Sequence, residues 1–232
     1  MIMKKNKRPF VIAFSGGCCS GKTTTLNALK DRLEREGFRV MSFKADTHAY
    51  LKERNATIDS IRKVAFDYLR YQEFVCTEQW KFENQILREF YNDYDVILLD
   101  RSLFDCLFYT IYYFNLGDDG LRFGLGLERY YNLQLELYKH LQEAVDRVYD
   151  LTLCFEPLME PKGEVNTFSR PSNIKMLKHI EGLGIRKIVD NYYGDDTRLP
   201  LGIMRKVDLN KSHQAEDLYN FITNAVQQHK EE

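Results

Sequence analysis

The sequence predicts a doubly wound parallel α/β sheet, and three observations carry that prediction. Short apolar runs recur at residues 10–14, 95–100 and 151–155, each the length of a buried strand. Segments with apolar residues at helical spacing separate them. The first run opens directly into Gly16-Gly17-Cys18-Cys19-Ser20-Gly21-Lys22-Thr23, which fits the pattern G-x-x-x-x-G-K-S/T of a phosphate-binding loop, or P-loop, set between a strand and a helix.

Taken in order, residues 24–36 carry Leu26, Leu29 and Leu33 at helical spacing, and Gly37 stops that helix. Residues 39–44 alternate and read as a second strand, ending at Ala45-Asp46-Thr47-His48. From 58 to 90 the pattern is helical, with Val75, Gln79, Phe82, Ile86 and Phe90 on one face. Gln79 interrupts that stripe; it is either a ligand contact or a core amide with a protein partner. Tyr71 and Trp80 could stack on a base, or simply fill the core. Residues 103–114 form an aromatic-rich helix, and the four glycines of 117–126 mark a loop. A long helix follows at 127–148, then the strand at 151–155, stopped by Glu156-Pro157. Residues 157–171 contain three prolines and read as a flexible flap or lid. A helix at 172–193 is expected to break near Gly182 and Gly184. A strand at 203–209 and an amphipathic helix at 215–227 complete the pattern. No linker divides the chain, so residues 1–232 read as one domain.

The loop's small residues let backbone N–H groups converge on phosphate oxygens at a helix N-terminus. Gly16, Gly17, Cys18, Cys19, Ser20, Gly21, Lys22, Thr23 and Thr24 are therefore the expected nucleotide-binding residues, with Lys22 reaching the β- and γ-phosphates and the Thr23 hydroxyl reaching Mg²⁺. Asp95-Val96-Ile97-Leu98-Leu99-Asp100 is an apolar strand ending in aspartate, the Walker B arrangement, which makes Asp100 the second metal residue. Asp46 ends a strand on the ligand-gathering edge of a parallel sheet; a helix N-cap is its equally weighted alternative. His48 reads as a surface or capping residue. Cys18 and Cys19 lie beside a helix N-terminus, which favours a lowered thiol pKa.

Charge is nearly balanced, 33 basic against 34 acidic residues, so no overall basic footprint favours nucleic acid or an anionic membrane. The five cysteines lack metal spacing, and a reducing cytoplasmic setting is the simplest reading. The basic start precedes too short an apolar run for a signal peptide, and no run reaches membrane-spanning length.

Gly16-Gly17-Cys18-Cys19-Ser20-Gly21-Lys22-Thr23-Thr24 resembles the G-G-x-C-x-G-K-T-T loop of nicotinamide-riboside-kinase-like P-loop proteins. Asp100-Arg101-Ser102-Leu103-Phe104-Asp105 resembles the D-R-x-x-x-D motif shared by that group and thymidylate kinases, and is similar to the E-R-S motif of deoxynucleoside kinases. Asp150-Leu151-Thr152-Leu153 resembles the strand before the lid of thymidylate kinases, and residues 207–212 their last strand and adenine-side loop. Two departures stand out. The flap holds only Arg170, with Lys162 and Lys175 near it, where thymidylate kinases carry several arginines. Ser102 follows Arg101 where they usually have tyrosine.

The resemblance implies a nucleoside- or nucleotide-kinase-like P-loop fold with a helical substrate side and a lid. The expected activity is ATP- and Mg²⁺-dependent transfer of the γ-phosphoryl group to a nucleoside, nucleotide or related small acceptor. Lys22 would hold phosphate oxygens, and Thr23 and Asp100 would place Mg²⁺. Arg101 would grip the acceptor or the transferring phosphate, Asp46 or Asp105 would orient the acceptor hydroxyl or act as base, and Arg170 would close from the flap. Two other readings stay open: a regulatory nucleotide-binding ATPase or GTPase-like protein, and a kinase acting on a modified base or end in nucleic acid. A GTPase signature is missing, because Asn210-Lys211-Ser212-His213 lacks the aspartate of N-K-x-D. A homodimer is compatible with all three.

Overall fold

The structure is a computed structural model and describes residues 8–90, 92–116, 125–157, 174–194, 203–210 and 214–231. Among these residues five strands, β1 (Phe10–Gly16), β2 (Val40–Phe43), β3 (Val96–Leu99), β4 (Leu151–Phe155) and β5 (Ile203–Val207), form one parallel sheet in the order β2-β3-β1-β4-β5. β1 is central, pairing Ala13 with Leu99 of β3 on one side and with Thr152 of β4 on the other. After β2 and β3 have been laid on one side of β1, the chain crosses to the other, so the loop leaving β1 stands where the winding reverses, the place at which parallel sheets open a ligand crevice.

Among the described residues, eight helices cover the two faces: α1 (Lys22–Arg35), α2 (Thr47–Glu53), α3 (Ile58–Arg62), α4 (Ala65–Arg88), α5 (Leu103–Leu116), α6 (Leu125–Arg147), α7 (Ile174–Tyr193) and α8 (Gln214–Glu231). Alternation along the strands decides which face each side chain enters. Phe10, Ile12 and Phe14 of β1 meet Leu26, Leu29 and Leu33 of α1 and Leu218, Ile222 and Val226 of α8. Val11 and Ala13 enter the larger opposite core, built with α4, α5, α6 and α7. The apolar stripe read on α4 is real: Val75, Phe82 and Ile86 are buried. Tyr71 packs edge-on against Tyr50 and Trp80 lies 4.2 Å from the His140 ring, so both aromatics serve packing.

The helical stretch expected from 58 to 90 is two helices. A capping box between Thr57 and Ser60 starts α3, and Val64, extended at φ −120°, interrupts the helix before α4. α2 is an additional short helix, capped by Asp46. The break expected at Gly182 and Gly184 does not occur, and α7 runs straight through both. These glycines serve close packing. A methyl group at Gly182 would come 2.5 Å from Pro157 Cγ, and one at Gly184 would overlap the Phe108 ring. The expected loop at 117–126 and the flap at 157–171 lie outside the described residues, except for their last two and first residues.

At the carboxyl end of β1, Gly16 has φ +145°, and a methyl there would sit 2.8 Å from the Phe155 carbonyl oxygen. Gly16→Ala is expected to lower stability by about 1–3 kcal/mol through backbone strain alone. Urea denaturation of the two proteins measures this, and equal midpoints would show that the loop relaxes without cost.

Candidate functional site

The site begins where β1 ends. Cys19 (φ +57°) and Gly21 (φ +89°) both occupy left-handed backbone, and Gly21 is the N-cap of α1 without any side-chain cap. Left-handed residues alternating with ordinary ones turn successive N–H groups inward, producing an anion-binding nest at a positive helix end. Thr23 and Thr24 follow in the first turn of α1, both exposed.

Lys22 is buried at 7 % exposure and folds over the loop, its Nζ donating to Gly16 O at 2.6 Å, Gly17 O at 2.7 Å and Ser20 Oγ at 3.3 Å. Burial pulls its pKa below the ordinary lysine value, while the charge of Asp105 pulls the other way. Asp105, fully buried, holds the same glycine from the opposite side. Its Oδ1 accepts from Gly16 N at 3.2 Å, and its Oδ2 accepts from Ser102 N at 3.3 Å and Ser102 Oγ at 3.0 Å. Burial raises the Asp105 pKa, against the charges of Lys22 and Arg101. Ser15 Oγ and Ser102 Oγ are also hydrogen-bonded, a second tie between the loop strand and the start of α5. The expectation that Asp105 faces an acceptor does not match this placement: both of its oxygens are spent on backbone and on Ser102, and its carboxylate is closed off from solvent.

Asp100, at the end of β3, accepts from Thr23 Oγ1 at 3.0 Å, so the two residues expected to share a metal ion are neighbours. Lys44, just past β2, brings its Nζ to 3.1 Å from the same Asp100 oxygen. Asp46 is exposed and accepts from Ala49 N at 2.9 Å, which resolves its two readings in favour of the N-cap. His48 is exposed. Arg170 lies outside the described residues.

Arg101 follows Asp100 with φ +147°, a conformation that costs a non-glycine residue about 1–3 kcal/mol and persists only where neighbours impose it. Its guanidinium lies 5.1 Å from the centre of the Tyr109 ring. Gln79 Nε2 donates to Arg101 O at 3.3 Å and to Glu83 Oε1 at 2.8 Å. Gln79 is thus a satisfied core amide, the plainer of its two readings. Tyr149 OH donates to the same Glu83 oxygen at 2.5 Å and accepts from Leu103 N at 3.1 Å. Glu83 Oε2 has no hydrogen-bond partner among the described residues.

On the loop's other flank, Glu181 of α7 is fully buried, its Oε2 accepting from Cys18 N at 3.2 Å and from Tyr109 OH at 3.0 Å. Burial, with the Glu181 charge, pushes the Cys18 thiol up. The lowered thiol expected from the helix end is therefore overturned at Cys18, where desolvation outweighs the dipole.

Lys44, Glu83, Tyr149 and Glu181 belong to this neighbourhood and were not singled out in the sequence. Only Glu83 left a trace there: it stands four residues from Gln79, a second polar residue bordering an apolar stripe. Burial raises its pKa from the ordinary 4.5 to about 7, with the bonds from Tyr149 and Gln79 opposing. An acid whose folded pKa is raised stabilises the fold most below its unfolded pKa, and that stability is lost as pH rises toward the folded value. Stability should therefore fall between pH 4.5 and about 7, by at most about 3 kcal/mol from this group. Glu83→Gln should flatten that part of the profile in urea titrations at several pH values; an unchanged slope would show that Glu83 is not the group responsible.

Comparison with known proteins agrees with the P-loop group to which the motifs pointed. Over 68 residues the chain is 35% identical to the uridine kinase of Limosilactobacillus reuteri, both in strain DSM 20016 and in subspecies reuteri strain JCM 1112, covering 29% of this chain and 30% of those proteins. Among solved structures, that of NadR protein in complex with NR superposes with a TM-score of 0.61 at 15% identity, and that of NadR protein in complex with NAD and AMP-PNP with 0.60 at 14%. Each match covers 93% of this chain, which spans 51% and 49% of those chains. At such identity the likeness is one of fold. The AAA domain family model matches residues 11–181. That match takes in the phosphate loop, the Asp100 strand and Glu181, well over half of the sequence, and the chain belongs to the AAA domain family.

Proposed function

We propose that the protein transfers the γ-phosphoryl group of ATP, with Mg²⁺, to a nucleoside, nucleotide or related small acceptor. The observation that carries this reading is the meeting of Thr23 and Asp100 at 3.0 Å beside the Lys22 loop, with Arg101 next in the chain. The similarity to uridine kinase and the fold of the NadR structure, one of them in complex with AMP-PNP, support the same class of chemistry.

The residues suit the ligands. The loop at the positive end of α1 would receive a polyphosphate, with the Lys22 ammonium exchanging its bonds to Gly16 O, Gly17 O and Ser20 Oγ for phosphate oxygens. The Thr23 hydroxyl and Asp100 carboxylate are hard oxygen donors of the kind Mg²⁺ takes, and the ion would neutralise charge on the phosphates. Lys44 shares the Asp100 carboxylate and would yield part of it to the ion. The Arg101 guanidinium meets charge on the acceptor or the transferring group. Asp105 holds Gly16 in place and does not touch the reacting atoms. Such a reaction needs positioning and charge stabilisation more than covalent chemistry. A cytoplasmic setting suits the buried thiols Cys76, Cys106 and Cys154.

Incubation with labelled ATP, Mg²⁺ and a panel of nucleosides and nucleotides should yield a labelled acceptor. Phosphate release without any labelled acceptor would overturn the reading in favour of a nucleotide-hydrolysing switch. Lys22→Ala is expected to lower transfer by about a hundredfold or more while the protein stays folded. Asp100→Ala should lower turnover and raise the Mg²⁺ concentration required. Asp105→Ala should weaken stability and ATP binding without shifting the Mg²⁺ dependence. Steady-state kinetics over a Mg²⁺ series separates the two aspartates.

A further inference from the structure

The turn from Asp100 to Leu103 carries two of the residues assigned above, and it is strained at Arg101. Four of its backbone polar groups are held by other parts of the chain. Asp100 N donates to Phe43 O at 2.8 Å, Arg101 O accepts from Gln79, Ser102 N donates to Asp105, and Leu103 N donates to Tyr149. The Gln79 and Tyr149 bonds converge on one atom, Glu83 Oε1. The donors are fully used: one Gln79 Nε2 hydrogen goes to Glu83 and the other to Arg101 O, while the Tyr149 hydroxyl gives its hydrogen to Glu83 and receives that of Leu103 N. Gln79, Glu83 and Tyr149 are all buried.

We propose that Glu83 is a positioning residue for phosphoryl transfer: through Gln79 and Tyr149 it holds both ends of the Arg101 peptide turn, keeping Arg101 in the backbone conformation that aims its guanidinium at the site. The proposal rests on the phosphotransfer reading for its catalytic consequence, and on geometry alone for its structural one. A buried carboxylate is an expensive way to fill this position. Its use is that a single ionised oxygen accepts two hydrogen bonds from neutral donors, which are stronger for the charge.

The grip depends on ionisation. Both donors point at Oε1, and they bind a carboxylate more tightly than a neutral acid. The groups around Glu83 are Gln79 on its own helix, Tyr149 ahead of β4, Cys106 of α5, whose thiol senses its charge, and Glu143 of α6, whose charge opposes ionisation. As pH falls through about 7 the carboxylate takes up a proton and the turn loosens.

Two measurements test this. Hydrogen exchange of the Ser102 and Leu103 amides, read by NMR, needs no activity. Tyr149→Phe, which removes only the hydroxyl, and Glu83→Leu should speed exchange at Leu103 by about tenfold or more relative to β1 and β3 amides. Glu83→Gln, which keeps an accepting oxygen but not the charge, should show at all pH values the faster exchange that the wild type reaches only below about pH 7, less fast than in Glu83→Leu. Unchanged exchange in Tyr149→Phe would overturn the positioning role, whatever the protein phosphorylates. In phosphoryl-transfer assays the same Phe and Leu variants should lower kcat by about ten- to a hundredfold with the KM for ATP within about twofold. Wild-type kcat should fall on the acid side of pH 7, a limb absent in Glu83→Gln. Loosened amides with wild-type kcat and an unaltered pH profile would overturn the catalytic part. Absence of any phosphorylated acceptor with the wild-type protein would instead refute the proposed function, and the exchange data would still decide whether Glu83 holds the turn. If Glu83→Leu does not fold, Tyr149→Phe carries both tests.

Discussion

The architecture at the carboxyl edge of the sheet depends on the grip on Gly16. Its carbonyl oxygen accepts from the Lys22 ammonium and its amide donates to Asp105, so the two peptide groups flanking one residue are held by a buried cation and a buried anion. Each charge would be costly to bury alone, and each offsets part of the other's desolvation. Because Asp105 belongs to α5 and Lys22 to α1, the same contact locks the two helices to the end of β1. The loop between them then has little freedom, which is what an anion-binding backbone requires.

The arrangement explains why the helix after β3 starts where it does. Ser102 and Asp105 close around the first turn of α5, and the Ser15–Ser102 hydrogen bond places that turn against β1. β3 therefore delivers Asp100 to Thr23, and the residue after it must turn sharply. Arg101 absorbs that turn at positive φ, a strain balanced by side chains from α4 and from the approach to β4. The buried polar side chains Gln79, Glu83, Asp100, Ser102 and Asp105 consequently gather around this turn.

Charge placement follows burial. Lys22, Asp105 and Cys18 lie within a few residues of solvent along the chain, yet each has its pKa moved first by desolvation. The helix dipole that favours a reactive thiol at Cys18 is present, but desolvation and the charge of Glu181 from α7 reverse its effect. A local rule about helix ends was overruled by an element that arrives more than a hundred and fifty residues later.

The amino-acid sequence by itself determined the succession of strands and of the longer helices, the central loop and the Thr23–Asp100 pair. These follow from apolar periodicity and from short motifs whose residues are close along the chain, or lie at matching strand ends. It also determined the inward face of α4, including the odd polar position at Gln79. Only the tertiary structure decided what Gln79 meets, because its partners Glu83, Arg101 and Tyr149 come from three separate elements. The same holds for Asp105, whose position at a helix start is visible in sequence while its bond to Gly16 is not. Gly182 and Gly184 show the limit from the other side. Glycine marks a break by its backbone freedom or a close approach by its missing side chain, and only the nearness of Pro157 and Phe108 distinguishes the two. Periodicity encodes which side of an element is buried; the identity of the neighbour across the interface is set by packing, which no local pattern contains.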